Sequence, residues 1–509
     1  MKGKYAMTNK RKFIYNGILL TVVGLVIRAV GLAFSAFLGR TVGAEALGLY
    51  TLIGTLYSFA ITFASSGVSL TVTRLVAGAV GEGRREEVGR IVLGACLYAI
   101  LFSGTASLAV FFGAERFAVS LLGDARAERP LRILALSLIP IALSSVLSGY
   151  FIGVKRIKRS SAHQVISQFA RIALTVFLIT RSIGKGVESA VIALCISTSA
   201  AELVSFLFAL FEYLLGAEGM AGQRRHFRSV FRSALPLALS SYVRSALLTL
   251  EHVLIPRRLG EYGEDESTAL SSYGRLHGMA LPVILFPMSP LTSFSSLLVP
   301  EFSETLARGD SLRIRRISSE VASSALSYAI PVSVLIYFFS SELGYLLYSS
   351  AEAGRYIAYL APVIPIMYLD HVTDSMLKGI GEHVYSMWVN ISDSLLSVIL
   401  IWLLIPRLGI LGYGLVIIIM EAYNFILSFV RLRMKTGIGI NLISSVVKPL
   451  FASLTAAYLS DRLFAFGGAG CSVLWLALKL VFAACIYVAA MLSVGLLLSY
   501  RKDKSSASC

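Results

Sequence analysis

The sequence predicts an all-α integral membrane protein of about fourteen transmembrane helices: two pseudo-symmetric six-helix lobes around a central cavity, plus two C-terminal helices. Composition, apolar runs and an internal repeat carry that prediction. Of 509 residues, 56% are hydrophobic and only 15% charged, with a mean hydropathy of +0.76. Soluble domains carry about 25% charged residues. Apolar runs of roughly 20 residues recur from end to end, each long enough to cross a hydrocarbon core of about 30 Å.

The runs place spans at 13–38, 46–72, 91–113, 131–154, 161–181, 187–214, 229–255, 268–298, 318–340, 355–378, 383–405, 408–430, 443–463 and 472–499. The charged start (Lys2, Lys4, Lys10, Arg11, Lys12) enters the first run without a small-residue cleavage site, so that run reads as a span. Basic clusters follow every second span. They are Arg84, Arg85 and Arg90; Lys155, Arg156, Lys158 and Arg159; Arg224, Arg225, Arg228 and Arg232; Arg308, Arg313, Arg315 and Arg316; Arg431, Arg433 and Lys435; and Arg501, Lys502 and Lys504. Roughly 27 Lys/Arg fall on that side and roughly 10 on the other, which puts both termini in the cytoplasm of a bacterial cell and requires an even number of spans. The net charge of +17 is then positive-inside bias, and no nucleic-acid partner is expected.

The linkers exclude several functions. The outer linker from Gly260 to Ser267 is acidic, and no outer linker exceeds about twenty residues, which leaves no room for a glycosyltransferase or polymerase domain. No Walker-type glycine loop is present. The five cysteines (Cys96, Cys195, Cys471, Cys485, Cys509) lack metal-ligand spacing. We therefore expect no enzyme and no cofactor. Na⁺, H⁺, the membrane potential or consumption of the product would supply the energy.

The halves repeat at an offset of about 225 residues. Ile139-Pro140-Ile141 recurs as Ile364-Pro365-Ile366, and Gly149 and Gly153 are answered by Gly379 and Gly381. Ile166-Ser167 returns as Ile391-Ser392, Leu52 and Gly54 as Leu276 and Gly278, and Gly83, Arg90 and Ile91 as Gly309, Arg316 and Ile317. The expected division is an N-lobe over 1–215, a C-lobe over 216–440, and an appendage of two spans with a tail over 441–509. Six spans preserve orientation, so the lobes are related by an axis along the membrane normal, the arrangement that rocks in alternating access. Pro140 and Pro365 should kink corresponding helices.

Ionisable residues in mid-span are costly against lipid and are cavity candidates. In the first span Gly17, Thr21, Gly24, Arg28, Gly31 and Ser35 share one face. The glycines suit a tight helix seam equally well, but Arg28 does not. The second span carries Gly54, Ser58, Thr62, Ser65 and Ser69, whose hydroxyls contact sugar or bond back to their own helix. Span seven carries Ser240, Arg244 and Glu251, and span eight brings Arg275 and His277 toward the outer surface. Arg28 and Arg244 come from the first and seventh spans, which hold equivalent places in the two lobes. With Arg275, whose alternative is to snorkel to the interface, they form a candidate diphosphate clamp, because a guanidinium fork matches phosphate oxygens. Asp370 and Asp374, one turn apart with His371 nearby, are ion-coupling candidates together with Glu251. Glu202, Asp393 and Glu421 are further buried acids that serve the same end or neutralise a buried base such as Arg171 or Lys479.

These residues resemble a known family. Arg28-Ala29-Val30-Gly31 and the run from Phe37-Leu38-Gly39-Arg40 to Gly48-Leu49-Tyr50 resemble the opening of polysaccharide exporters in the multidrug/oligosaccharidyl-lipid/polysaccharide superfamily. Leu56-Tyr57-Ser58-Phe59, Ser66-Gly67-Val68-Ser69-Leu70, Thr73-Arg74-Leu75-Val76-Ala77 and Ser148-Gly149-Tyr150-Phe151-Ile152-Gly153 are similar to its branch of stage V sporulation B proteins and lipid II flippases. So are Tyr273-Gly274-Arg275, Leu298-Val299-Pro300-Glu301 and Lys378-Gly379-Ile380-Gly381. The resemblance implies a two-lobed transporter whose cargo is a polyprenyl-diphosphate-linked saccharide, and it implies cavity arginines at Arg28 and Arg275. Two positions depart from the pattern: Phe34 stands where many such flippases have a second arginine, and Gln168 where an acid is expected.

The expected function is therefore a flippase with lipid-linked saccharide and membrane lipids as partners, acting as a monomer. Its rivals are a cation-coupled multidrug exporter of the same superfamily, a polytopic glycosyltransferase, and a non-transporting scaffold in envelope or spore assembly. The exporter predicts an acid-rich cavity with few arginines.

Overall fold

The computed structural model describes every residue except Met1, Arg85, Lys155, Ile183, 216–225, 466–471 and 507–509. Among the described residues the chain is helical throughout, with no strand. The helices are α1 (Lys2–Ser65), α2 (Val68–Gly81), α3 (Glu86–Arg116), α4 (Glu128–Gly153), α5 (Ile157–Ser182), α6 (Val187–Leu214), α7 (His226–Tyr262), α8 (Glu266–Tyr273) and α9 (Leu281–Leu285). Then follow α10 (Ser289–Ala307), α11 (Ser311–Phe338), α12 (Ser340–Tyr348), α13 (Ala351–Leu360), α14 (Ile364–Gly379), α15 (His383–Leu408), α16 (Ile410–Thr436), α17 (Lys448–Ala465) and α18 (Val473–Ser506). Eleven helical stretches among the described residues are long and apolar enough to cross a membrane. One of them, Arg28–Gly81, holds the end of the first expected span and all of the second in 54 residues.

The chain forms two compact units. Unit A comprises Met1–Arg40, Arg275–Ser397 and Ile410–Cys509; unit B comprises Thr41–Gly274 and Val398–Gly409.

In unit B the second expected span does not run straight through. The α1 helix kinks at Gly43, with φ 82°, and ends before Gly67, whose left-handed φ of 75° starts α2 afresh. Leu49, Leu52, Ile53, Tyr98, Leu131, Leu134, Leu138 and Phe151 are fully buried and make its core. Between α3 and α4 the chain passes through a π turn, Phe117–Leu122. There Asp124 caps the next turn by accepting from the Arg126 backbone N–H.

In unit A the core joins Leu298 and Phe302 of α10, Ala322 and Ala325 of α11, Val372, Met376 and Leu377 of α14, and Leu432 of α16. The eighth expected span is broken here. A π turn, Gly274–Ala280, leads to the five-residue α9, a 3₁₀ turn at Phe286–Met288 and then α10. Pro282, Pro287 and Pro290 explain the interruptions, since each lacks the N–H that an α-helix requires. Pro140 lies inside α4. Pro365 instead sits in the first turn of α14, directly after the 3₁₀ turn Ala361–Val363, where a missing N–H is harmless.

The repeat is visible in the hydrogen bonds. The Ser107 hydroxyl donates to the Ala135 carbonyl and Ser333 to Ala361, each at 2.8 Å and 226 residues apart in register. After α2, the N–H groups of Glu82, Gly83 and Arg84 donate to Gly78, Val80 and Ala79. After α10, Arg308, Gly309 and Asp310 donate to Glu304, Leu306 and Thr305. Gly83 and Gly309 take φ of 75° and 71° in these turns. A Cβ on Gly153 would press on Val76, and one on Gly379 on Phe302, so the partner of Gly379 in the repeat is Gly153. Small residues are needed there because paired helices cross at close range.

One loop tie gives a pH prediction. Glu382, between α14 and α15, accepts from Arg431 at 2.8 Å and pairs with Lys435 at 2.8 Å. Lys435 and Arg431 hold its carboxyl below the usual range. A depressed folded-state value means the tie is fully present above the ordinary pKa of about 4.3 and is lost as pH falls through the depressed one. Wild type should therefore melt above Glu382→Gln at pH 7, and the gap should close as pH falls below about 4. A constant gap across a melting series would exclude this charge effect.

Candidate functional site

In unit A the broken eighth span exposes backbone carbonyls, and side chains from other helices bond them. Pro282 offers no N–H to Gly278 four residues back, and the Ser35 hydroxyl donates to that carbonyl at 3.1 Å. The Tyr368 hydroxyl donates to Ile284 at 2.7 Å and that of Tyr328 to Pro287 at 2.6 Å. Arg28 Nη1 donates to the Leu285 carbonyl at 3.3 Å. Arg28 is exposed, and no carboxylate among the described residues pairs with it. Its charge is felt at Tyr368 and His371. Of the rest of its stripe, Gly31 has open space where a Cβ would stand. Gly17, Thr21 and Gly24 lie outside the residues whose side chains are described.

Arg275 is placed differently. It forms an ion pair with Glu352 at the start of α13, and its side chain is 29% exposed. Ten residues separate it from Leu285, which sets it on the order of 15 Å along the span from the carbonyl that Arg28 holds.

The acids of unit A converge. Asp374 pairs with Lys378 at 2.5 Å and accepts from the Ser386 hydroxyl. Asp370, one turn earlier, bonds Ser428 and lies within electrostatic reach of Asp374 and Asp393. Glu421 on α16 is in turn within reach of Asp370 and Asp393. Asp370 Oδ1 is buried and has no hydrogen-bond partner among the described residues. Four carboxyl positions from α14, α15 and α16 thus lie within electrostatic reach of one another, with the Lys378 ammonium beside Asp374 and Asp370.

Unit B holds the remaining predicted residues. A ladder of hydroxyls joins the second span to α7: Thr249 donates to the Thr55 carbonyl at 3.3 Å, Ser245 to Thr62 at 3.3 Å, and Tyr242 to the Phe63 carbonyl at 3.1 Å. Thr62 itself bonds back to the Ser58 carbonyl at 2.8 Å. Ser58 and Arg244 are exposed. Glu251 acts electrostatically on Tyr273, in unit B and not in the Asp370 cluster. The side chain of Ser240 lies outside the described set.

Several participants carried no sequence signal. Tyr328, Tyr368 and Glu352 reach their partners from helices remote in sequence. Asp393 and Glu421 were visible as buried acids, but no spacing joins residues on three helices.

Comparison with known proteins places these features. The sequence model of the family described as polysaccharide biosynthesis protein matches residues 13–306, and a MatE model matches 259–403. Stage V sporulation protein B of Bacillus subtilis (strain 168) is 27% identical over 422 residues, covering 80% of this chain and 81% of that protein. Lipid II flippase MurJ of the same organism is 23% identical over 457 residues, covering 82% of each. The solved structure of lipid II flippase MurJ in an inward closed conformation has the same fold, with a TM-score of 0.71 at 14% identity, covering 93% of this chain and 98% of that one.

Proposed function

We propose, because the chain belongs to the polysaccharide biosynthesis protein family, that it is an alternating-access flippase moving a polyprenyl-diphosphate-linked saccharide from the inner to the outer leaflet. It is a multi-pass membrane transporter of the multidrug/oligosaccharidyl-lipid/polysaccharide superfamily. Lipid II, named in one relative, is the cargo we would test first. In this reading both termini lie in the cytoplasm and the chain works as a monomer.

Arg28 carries the reading. An exposed arginine within a span cannot rest against hydrocarbon, so it faces water or an anionic headgroup. Among the described residues it gives one hydrogen bond, to the Leu285 carbonyl, which leaves donors of its fork for phosphate oxygens. In unit B, Arg244, exposed on α7, carries the same guanidinium chemistry, and the Ser58 hydroxyl is exposed and available to sugar. Arg275 serves the phosphate only if it exchanges Glu352 for it. The Asp370 cluster, with Asp374, takes the coupling cation or proton, because carboxyls of three helices converge there within spans. The same cluster and the MatE match favour the second reading, a cation-coupled multidrug exporter.

The test is rescue of a strain depleted of its lipid II flippase, combined with lipid II translocation in proteoliposomes. Wild type should rescue, and Arg28→Ala should lose about 10- to 100-fold in rate, the worth of one or two charge-assisted hydrogen bonds. Full activity of Arg28→Ala would remove the arginine from the site. Drug efflux without lipid II movement would decide for the exporter.

A further inference from the structure

Unit B carries a groove of about 550 Å³ between the second span, α3 and α7. Alanines of all three helices, Ala60, Ala106 and Ala246, line it and leave it open. Its two threonines have turned their hydroxyls away. Thr105 donates to the Phe102 carbonyl at 2.8 Å, and Thr249 to the carbonyls of Ser245 at 2.9 Å and Thr55 at 3.3 Å. A wall of this kind has no group to recognise a sugar or an ion, and hydrocarbon is the occupant that fills it without losing hydrogen bonds to water. Phe63 closes one end, its ring centroid 5.7 Å from that of Phe102 and 5.2 Å from that of Tyr242. Thr105 is exposed on the same stripe of α3 as Leu101, Leu108 and Phe112, all exposed, so the groove opens on an apolar face suited to lipid. Along α3 it runs from Thr105 to Phe117, about 18 Å at the helical rise. That is close to the depth of one leaflet of a hydrocarbon core of about 30 Å.

The other end is charged. There the lining reaches Phe117 and Leu121 of the π turn. Arg257 of α7 donates to the carbonyl of Ser120, the residue before Leu121, and its Nε stands 3.9 Å from the place a Cβ of Gly123 would take. Arg257 is exposed, and no carboxylate among the described residues pairs with it. Its neighbour Arg258 is engaged instead, paired with Glu261 at 2.5 Å and lying over the Trp402 ring. A guanidinium at the head of an apolar slot one leaflet deep matches an amphiphile with an anionic head and a hydrocarbon tail. We propose that the groove holds one acyl chain of an anionic phospholipid whose phosphate rests on Arg257. In the orientation proposed above this lipid belongs to the outer leaflet. The site is separate from that of the cargo. Ser58 stands two residues, about 200°, from both Leu56 and Ala60 of the lining, and Arg244 stands two residues from Ala246. The bound chain supplies contacts that α3 and α7 lack along the groove.

The experiment adds phosphatidylglycerol or phosphatidylcholine, each with the same photoreactive diazirine acyl chain, to the purified full chain in detergent and maps the crosslinked peptides by mass spectrometry. Phosphatidylglycerol should label 105–121 and 246–250, and phosphatidylcholine, whose ammonium competes for the phosphate, should label them less. Arg257→Gln should lower the phosphatidylglycerol signal about 5-fold, the worth of an exposed ion pair, and bring the two lipids level. Ala109→Phe, at an exposed position of the lining, should fill the groove and cut labelling by both lipids about 10-fold or more. Leu108→Phe, on the adjoining lipid face, should change nothing. Labelling spread evenly over the apolar helices, or undiminished in Ala109→Phe, overturns the groove as a site. Equal labelling by the two lipids in wild type overturns the anionic assignment. Polyprenyl phosphate that displaces the label at lower concentration than unlabelled phosphatidylglycerol gives the groove to the tail of the cargo and overturns the phospholipid. The wild-type measurements decide the proposal even if no variant folds.

Discussion

Gly48→Ala is expected to cost about 3 kcal/mol or more and to leave little folded protein in the membrane. Gly48 lies on α1 where the second span crosses the start of the π turn at Gly274. A Cβ on Gly48 would enter the Leu270 carbonyl, and one on Gly274 the Ala44 carbonyl. Both obstacles are backbone, so no rotamer relieves them and the helices must separate. Gly39 makes the contrast, since its would-be Cβ meets the Tyr348 ring, a side chain that can turn. Gly54→Ala is the control: nothing stands within 4 Å of its Cβ, and the change should stay within about 0.5 kcal/mol. Fluorescence-detected gel filtration after a heating series reads both. A Gly48→Ala protein that melts with wild type would mean that the crossing is looser than its backbone spacing.

The same crossing shows how far sequence reasoning reaches. Gly48 and Gly274 stand in the runs that resemble the family, yet only the fold reveals that they touch. Periods and charges are local signals, so the spans, the basic loops and the repeat could be read directly. The break in the eighth span could be foreseen from Pro282, Pro287 and Pro290, but not the side chains that repair it. Ser35 reaches Gly278 across 243 residues and Arg28 reaches Leu285 across 257. Arg275 could be read as a cavity arginine because its partner, Glu352, comes from another helix. Thr62 shows the opposite case: the backbone bond weighed from its spacing is present, but its second partner, Ser245, is not local. Buried charge is chosen by tertiary neighbours, so a site made from three helices leaves no spacing to read.

Lys479→Met should loosen the C-terminal hairpin at a cost of about 2 kcal/mol, below the 3–5 typical of breaking a fully buried pair because the two carboxylates are partly exposed. Lys479 is 10% exposed on α18, with Nζ 2.9 Å from Glu342 of α12 and 3.4 Å from Asp461 of α17. The ammonium also lies 5.5 Å from the centroid of the Phe339 ring, and the Ser460 hydroxyl holds the Lys479 carbonyl at 2.8 Å. One cation thus joins both appended helices to α12 within unit A. Without it, two carboxylates share a site with no counter-charge, and their repulsion acts along the line that separates the hairpin from α12. The Tyr487 hydroxyl still donates to the Ser327 carbonyl at 2.6 Å, so α18 should swing rather than detach. Limited proteolysis near Ser472 and a melting curve would detect this. The triple change Lys479→Met/Glu342→Gln/Asp461→Asn should recover most of the loss, because removing every charge also removes the repulsion. If the triple variant stays as unstable as the single one, the lysine acts through the packing of its stem, and the hairpin is held by apolar contact rather than by charge.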